Sequence, residues 1–142
     1  MGNKKGFRGY ISSREIGGNI IPQRVQNLVI RTYAQTKGIL FLLSATEYYM
    51  HNCHMMLNAV LDELDRLEGV IFYSTHLLPK NAPERRKMYD LILKSGAELH
   101  FALEELSIKN EQDIALIEEL MMCRELTTNR ELPSAFTDEV KS

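Results

Sequence analysis

Two adjacent hydroxyls, Ser12 and Ser13, one imidazole, His76, and two carboxylates, Glu47 and Glu104, are the side chains best suited to covalent or proton-transfer chemistry. A serine attacks poorly until a base or another activator is beside it. His76 can be that base if its segment neighbours the first serine segment. Glu47 or Glu104 can then orient the imidazole or act as acid or base. The plainer reading of the same residues is that the hydroxyls cap loops and His76 is solvated. Around this group lie candidate ligand contacts: Arg14, Gly17, Gly18, Gln23, Arg24, Ser44, Thr46, Tyr73 and Ser74. Arg14 and Arg24 can make charge-assisted bonds to a phosphate or carboxylate. Gly17-Gly18-Asn19 can bring backbone close to a ligand or turn with positive φ. That loop leads into a helix start, where exposed N–H groups can hold an anion. Neither GxGxxG nor GxxxxGK is present, so no nucleotide fingerprint supports the loop.

Other polar clusters carry less. His51-Asn52-Cys53-His54 has no second Cys or His pair at zinc-finger spacing, so no metal site is expected. Cys53 and Cys123 fall on apolar helical stripes and read as buried free thiols, which fits a reducing cytoplasm. His100 lies inside a strand-like run and reads as a satisfied sheet histidine. Arg85-Arg86-Lys87 reads as a solvated helix start. No cofactor class is indicated.

Positioning these groups requires strands and helices in alternation. Strand-like segments are Phe7–Ser12, Ile39–Ser44, Val70–Ser74 and Leu99–Leu103, mostly continuous apolar runs of the kind buried on both faces. Helical stripes separate them. Pro22 can open the first helix. Cys53, Met56, Leu57, Val60, Leu61 and Leu64 mark the second at i, i+3, i+4 spacing. Asn81 caps a third that begins with Pro83 and Glu84 in its first turn. Asn110-Glu111-Gln112-Asp113 opens a fourth with acidic residues at its positive end. Gly38, Gly69 and Gly96 each precede a strand and are expected to close a helix in the left-handed conformation. The strands begin about 30 residues apart, the length of a βα unit.

The expected fold is therefore α/β: a single-domain, four-stranded parallel sheet with helices on both faces, βαβαβαβα. Ligands bind such sheets beyond the carboxyl ends of the strands. Polar residues gather there in all four units, whereas the opposite connections are mostly a single glycine. Residues 1–126 form the expected domain and residues 127–142 an extension, whose Phe136 and Val140 can dock on the body or on another subunit.

The 142 residues carry 19 acidic and 17 basic side chains, a formal net charge of −2. That balance argues against a general nucleic-acid coat or a polybasic membrane binder. The longest apolar run, Ile39–Leu43, is too short to span a bilayer. No signal peptide is read at the amino terminus.

Two resemblances add to this reading. Arg8-Gly9-Tyr10-Ile11-Ser12-Ser13-Arg14-Glu15-Ile16-Gly17-Gly18, Ile21-Pro22-Gln23-Arg24-Val25-Gln26-Asn27, Leu42-Leu43-Ser44-Ala45-Thr46-Glu47-Tyr48 and Leu99-His100-Phe101-Ala102-Leu103-Glu104 resemble the sporadic carbohydrate cluster protein family. That family is bacterial and belongs to surface-polysaccharide biosynthesis clusters. The resemblance implies a pathway context and no particular reaction. More distantly, Tyr10, Ser12 or Ser13, Gln23 and Gln26 resemble the catalytic domain of serine recombinases, the resolvases and invertases. The resemblance implies a resolvase-like fold. Where that family carries arginines after a later strand, this chain has His76 and Pro79 within Thr75-His76-Leu77-Leu78-Pro79. Arg8 stands two residues before Tyr10, not two after it. Loss of one electrostatic stabiliser of a transferring phosphoryl group costs ~3 kcal/mol.

Three functions follow. The first is binding or processing of a sugar, nucleotide-sugar or related anionic metabolite at the strand ends, in bacterial surface-carbohydrate biosynthesis. The second is a non-catalytic partner or regulator of a carbohydrate-pathway enzyme. The third is a degenerate serine-recombinase-like DNA-binding domain. Expected partners are a sugar or phosphorylated metabolite and a second copy or pathway enzyme, with nucleic acid disfavoured and no membrane insertion.

Overall fold

A computed structural model describes residues 4–50 and 52–129. The elements are β1 (Phe7–Ser12), α1 (Gln23–Lys37), β2 (Phe41–Glu47), α2 (Met55–Leu61), β3 (Gly69–Phe72), α3 (Ala82–Lys94), β4 (Glu98–Phe101), β5 (Leu106–Ile108) and α4 (Glu111–Asn129). Single 3-10 turns occupy Leu64–Arg66 and Thr75–Leu77. The sheet order is β2-β1-β3-β4-β5, with β1 to β4 parallel and β5 antiparallel to β4. The α/β class is as expected, but the sheet has five strands, not four. The fifth returns from β4 through a tight turn in which Glu105 has a φ of +56°. Three residues, Leu106-Ser107-Ile108, are too few to display an alternating pattern.

Side-chain parity along β1 separates the two faces. Phe7 meets the His100 ring edge-on, and Gly9 lies against Ser44, whose hydroxyl donates to Asn27 of α1. Tyr10 points to the other face, where its hydroxyl reaches Glu47 at the end of β2. Helix α2 packs on α3, and α3 is tied to α4 by the Arg85–Glu118 pair at 2.8 Å. Helices therefore cover both faces, with α1 on one and α2 to α4 on the other. The core runs through Tyr10, Phe72 and Phe101, whose rings contact in sequence at 4.7 and 5.8 Å.

Gly38 and Gly96 close α1 and α3 with φ of +68° and +76°. Gly69 does not close a helix: it is the first residue of β3, and a Cβ there would collide with the Glu98 carbonyl of β4. Close strand approach, not a left-handed turn, is what this glycine provides. Asn81 caps α3 as expected, accepting from the Glu84 N–H at 2.9 Å. Helix α2 is shorter than its apolar stripe, because Cys53 sits in the preceding turn. Cys53 is half-buried and Cys123 exposed, so neither is the buried thiol the stripes suggested. Helix α4 continues through Thr127 to Asn129, and the expected docking residues Phe136 and Val140 lie outside the described residues.

Candidate functional site

The order β2-β1-β3 makes β1 the strand from which the chain departs in both directions. Ligand sites in such sheets form beyond the carboxyl ends at that reversal. The loops after β1 and β3 meet there. Residues 13–21 do not form a loose loop. Ile16 and Asn19 exchange backbone hydrogen bonds of 2.7 and 3.1 Å around Gly17-Gly18, and both glycines have positive φ. Positive φ at both central residues is the requirement of a type I′ hairpin turn. The turn leans on His76: a Cβ on Gly17 would lie 3.2 Å from its Nε2. Sequence residues from the first and third units are thus brought together.

Ser12 is completely buried. Its hydroxyl oxygen accepts from the Arg14 backbone N–H at 3.0 Å and from Arg14 Nε at 3.3 Å. Its backbone is held by the buried amide of Gln26: Ser12 N–H donates to Oε1 at 3.0 Å, and Nε2 donates to the Ser12 carbonyl at 2.7 Å. Ser13 is exposed, and its hydroxyl donates to the Glu47 carbonyl at 3.0 Å. No hydrogen bond joins the His76 ring to either serine or to either glutamate. The base–nucleophile contact considered from the sequence is absent from the described residues.

Both glutamates are occupied. Glu47 is buried at the end of β2 and accepts from the N–H groups of Met56 and Leu57 at 3.0 and 3.1 Å, Tyr48 N–H at 3.2 Å and Tyr10 hydroxyl at 2.8 Å. It is the carboxylate cap of α2. Burial pushes its pKa up, but the Met56, Leu57, Tyr10 and Tyr48 donors outweigh it and hold the group below the usual carboxylate range. Glu104 follows β4 and gathers the segment after β3. It accepts from Ser74 hydroxyl at 2.7 Å, Thr75 hydroxyl at 2.8 Å and Thr75 N–H at 3.1 Å. Arg124 of α4 completes this cluster, donating to Thr75 Oγ1 at 2.8 Å and lying 3.8 Å from Glu104.

The remaining predicted contacts divide. Tyr73 and Ser74 are buried. Gln23 and Arg24 lie exposed on the first turn of α1. Ser44 is not at a strand end, because β2 runs three residues further to Glu47; Ser44 is fixed at 2.6 Å to Asn27, and Thr46 pairs with Ile11 in the sheet. Arg14 is half-buried at the mouth, and its Nη1 donates to the Met50 carbonyl at 3.2 Å. No carboxylate among the described residues forms an ion pair with it.

Three contributors, His54, Lys80 and Arg124, were not legible as site residues. His54 and Lys80 share an open cleft of about 470 Å³ with Asn52, Asn81 and Glu84, next to the mouth. Arg124 arrives from a helix far along the chain. Partial burial and Arg14 hold the His54 pKa below its ordinary value, against the pull of Glu47 and Glu84. Partial burial, Arg124 and Lys80 do the same to His76, against Glu104. Burial is the larger cause at both rings, and a neighbouring cation adds to it at each: Arg14 at His54, Arg124 and Lys80 at His76. Among the described residues no group of three metal-ligating side chains occurs, and no helix is long and apolar enough to cross a membrane.

No family model matches the chain, and no curated protein matches it significantly. Solved structures do. The N-terminal catalytic domain of TP901-1 integrase aligns with a TM-score of 0.55 at 14% identity, covering 88% of this chain and 99% of that one. A resolvase family site-specific recombinase from Streptococcus pneumoniae aligns with a TM-score of 0.60 at 9% identity, covering 96% and 99%. The chain therefore has the resolvase-like fold. The comparisons offer no support for the carbohydrate-cluster resemblance.

Proposed function

We propose that this is a degenerate serine-recombinase-like domain that recognises a phosphate group at the carboxyl ends of β1 and β3 without forming a covalent bond to it. The observation that carries the reading is Arg14: a half-buried guanidinium at the topological switch point, held by Ser12 Oγ and the Met50 carbonyl and paired with no described carboxylate. His54 lies within electrostatic reach of Arg14, and His76 within reach of Lys80 and Arg124. Guanidinium, ammonium and imidazole N–H donors all recognise phosphate oxygens. The non-covalent part rests on the enclosed Ser12 hydroxyl and on the lack of any base at Ser12 or Ser13. The likeness in fold to two recombinase structures supports a phosphodiester source over a sugar metabolite.

The test is an NMR titration of the histidine rings with inorganic phosphate and, separately, with a short DNA duplex. A bound phosphate raises the pKa of His54 and His76 together, because an anion beside the rings favours their protonated forms. Arg14→Ala removes the response. Unmoved histidine titrations at saturating phosphate and low salt reject the reading. A covalent protein–DNA adduct that disappears in Ser12→Ala or Ser13→Ala rejects its non-covalent part.

A further inference from the structure

The loop that Arg14 holds through the Met50 carbonyl carries two tyrosines that the core does not use. Tyr48 and Tyr49 are 48% and 76% exposed, and Met50 beside them is 51% exposed. Large aromatic rings are normally buried or given a partner. Here two consecutive ones face solvent on a backbone held by three hydrogen bonds, one at Tyr48 N–H and two at the Met50 carbonyl. Tyr48 N–H donates to Glu47, the Met50 carbonyl accepts from Arg14, and the same carbonyl accepts from Cys53 N–H at 3.2 Å. The tyrosines are therefore presented by a fixed loop.

Two residues further along, Asn52 has a φ of +58°, a conformation that few residues other than glycine adopt. It lines the cleft with His54 and Lys80. An asparagine amide offers one acceptor and two donors, the set that pairs with the edge of a purine ring. Two aromatic rings and an amide thus sit on one loop, and a guanidinium from the loop after β1 binds that loop's backbone at Met50.

From this juxtaposition we infer that the ligand is a nucleoside phosphate, with its base stacked on Tyr48 and Tyr49 and its phosphate at Arg14. The inference rests on the phosphate reading above and extends it to the base. A free mononucleotide and a single-stranded nucleic acid share this chemistry. Stacking on aromatic side chains tolerates any base, and the amide adds a preference for adenine. A sugar phosphate lacks the flat ring that would use the tyrosines.

Calorimetry on the full chain distinguishes the outcomes, using inorganic phosphate, ribose 5-phosphate, AMP and a short single-stranded adenine oligonucleotide. AMP is expected to bind about tenfold more tightly than ribose 5-phosphate, a gain of roughly 1.4 kcal/mol. The double variant Tyr48→Ala, Tyr49→Ala is expected to lose that gain and keep the ribose 5-phosphate affinity. Both positions are exposed, so the variant's fold is checked simply by an unchanged unfolding midpoint. Oligonucleotide binding much tighter than AMP assigns a strand as the source; equal binding per site assigns a free nucleotide. Equal affinities for AMP and ribose 5-phosphate overturn this inference and leave the phosphate reading standing. An AMP gain that survives in the double variant overturns the tyrosine platform. Failure of all four ligands overturns the phosphate reading itself.

Discussion

Glu47 shows how a residue chosen for chemistry can be absorbed by structure. From the sequence it is a carboxylate just past a strand, well placed to serve an imidazole. In the fold it is an anion at the positive end of α2, with three N–H groups and one phenol donating to it. Glu47→Gln keeps the shape but turns one acceptor oxygen into a donor facing N–H groups. We expect a loss of about 2–3 kcal/mol, since hydrogen bonds to a buried charge are the costly ones to break. The pH dependence has a definite sign. The folded pKa lies below the usual carboxylate value of 4.5, so the stabilisation is present above that value and fades as pH falls through the folded pKa. Urea midpoints at neutral and acid pH for both proteins check this. The variant must lose less on acidification than the wild type; an equal loss rejects the assignment. The sequence could not reveal the capping role because two of the donors, Met56 and Leu57, are set by where α2 begins, nine and ten residues away, and a third, Tyr10, lies on another strand.

At the scale of elements, the legible features were those with local causes. Asn81 caps α3, Gly38 and Gly96 end helices, and the apolar runs lie in strands. Features caused by a neighbour in space were misread. Gly69 looks the same as Gly38 in sequence, as a lone glycine before an apolar run. One is needed for its φ, the other for the lack of a Cβ between β3, β4 and the Phe7 ring, 2.7 Å away. The two alanine substitutions should separate these causes. Gly38→Ala meets no atom and costs about 1 kcal/mol for the left-handed backbone. Gly69→Ala drives a methyl into the β4 backbone, and we expect about 3 kcal/mol, the upper range for overpacking. Denaturation midpoints of similar size for the two would show that β3 and β4 can separate to admit the methyl. The Gly17-Gly18 hairpin is a further case. The pair was legible as a turn but not as a two-residue hairpin, because Ile16 and Asn19 pair only as an isolated bridge, with no alternating strands on either side to mark it. Gly18 has open space around it, so Gly18→Asn should be tolerated, while Gly17→Ala should both strain the turn and shift the His76 resonance.

For the whole molecule, the titrating groups set the pH range in which the fold is most stable. His100 is 4% exposed, with Tyr33 hydroxyl 2.6 Å from Nδ1 and Glu98 2.9 Å from Nε2. The neutral ring fits this arrangement when Tyr33 donates to Nδ1 and Nε2–H donates to Glu98. Burial lowers the His100 pKa, against the pull of Glu98, and His54 and His76 are lowered too. Below the usual histidine value of 6.5 the unfolded chain therefore takes up protons that the folded chain refuses, and stability falls. The alkaline side has the opposite origin. Burial raises the pKa of Tyr10, Tyr73 and Tyr89, and that of Tyr33 to about 12. Above the usual tyrosine value of 10.0 the unfolded chain loses protons first, so stability falls again. A plateau between these limits is expected in chemical-denaturation midpoints measured across pH. Phosphate links this profile to function. A phosphate held by Arg14 would favour protonated His54 and His76, so saturating phosphate should flatten the acid limb of the wild type and leave that of Arg14→Ala steep. An acid limb unchanged by phosphate in both proteins would mean that the mouth and the fold titrate independently, which the placement of the two histidines beside Arg14, Lys80 and Arg124 argues against.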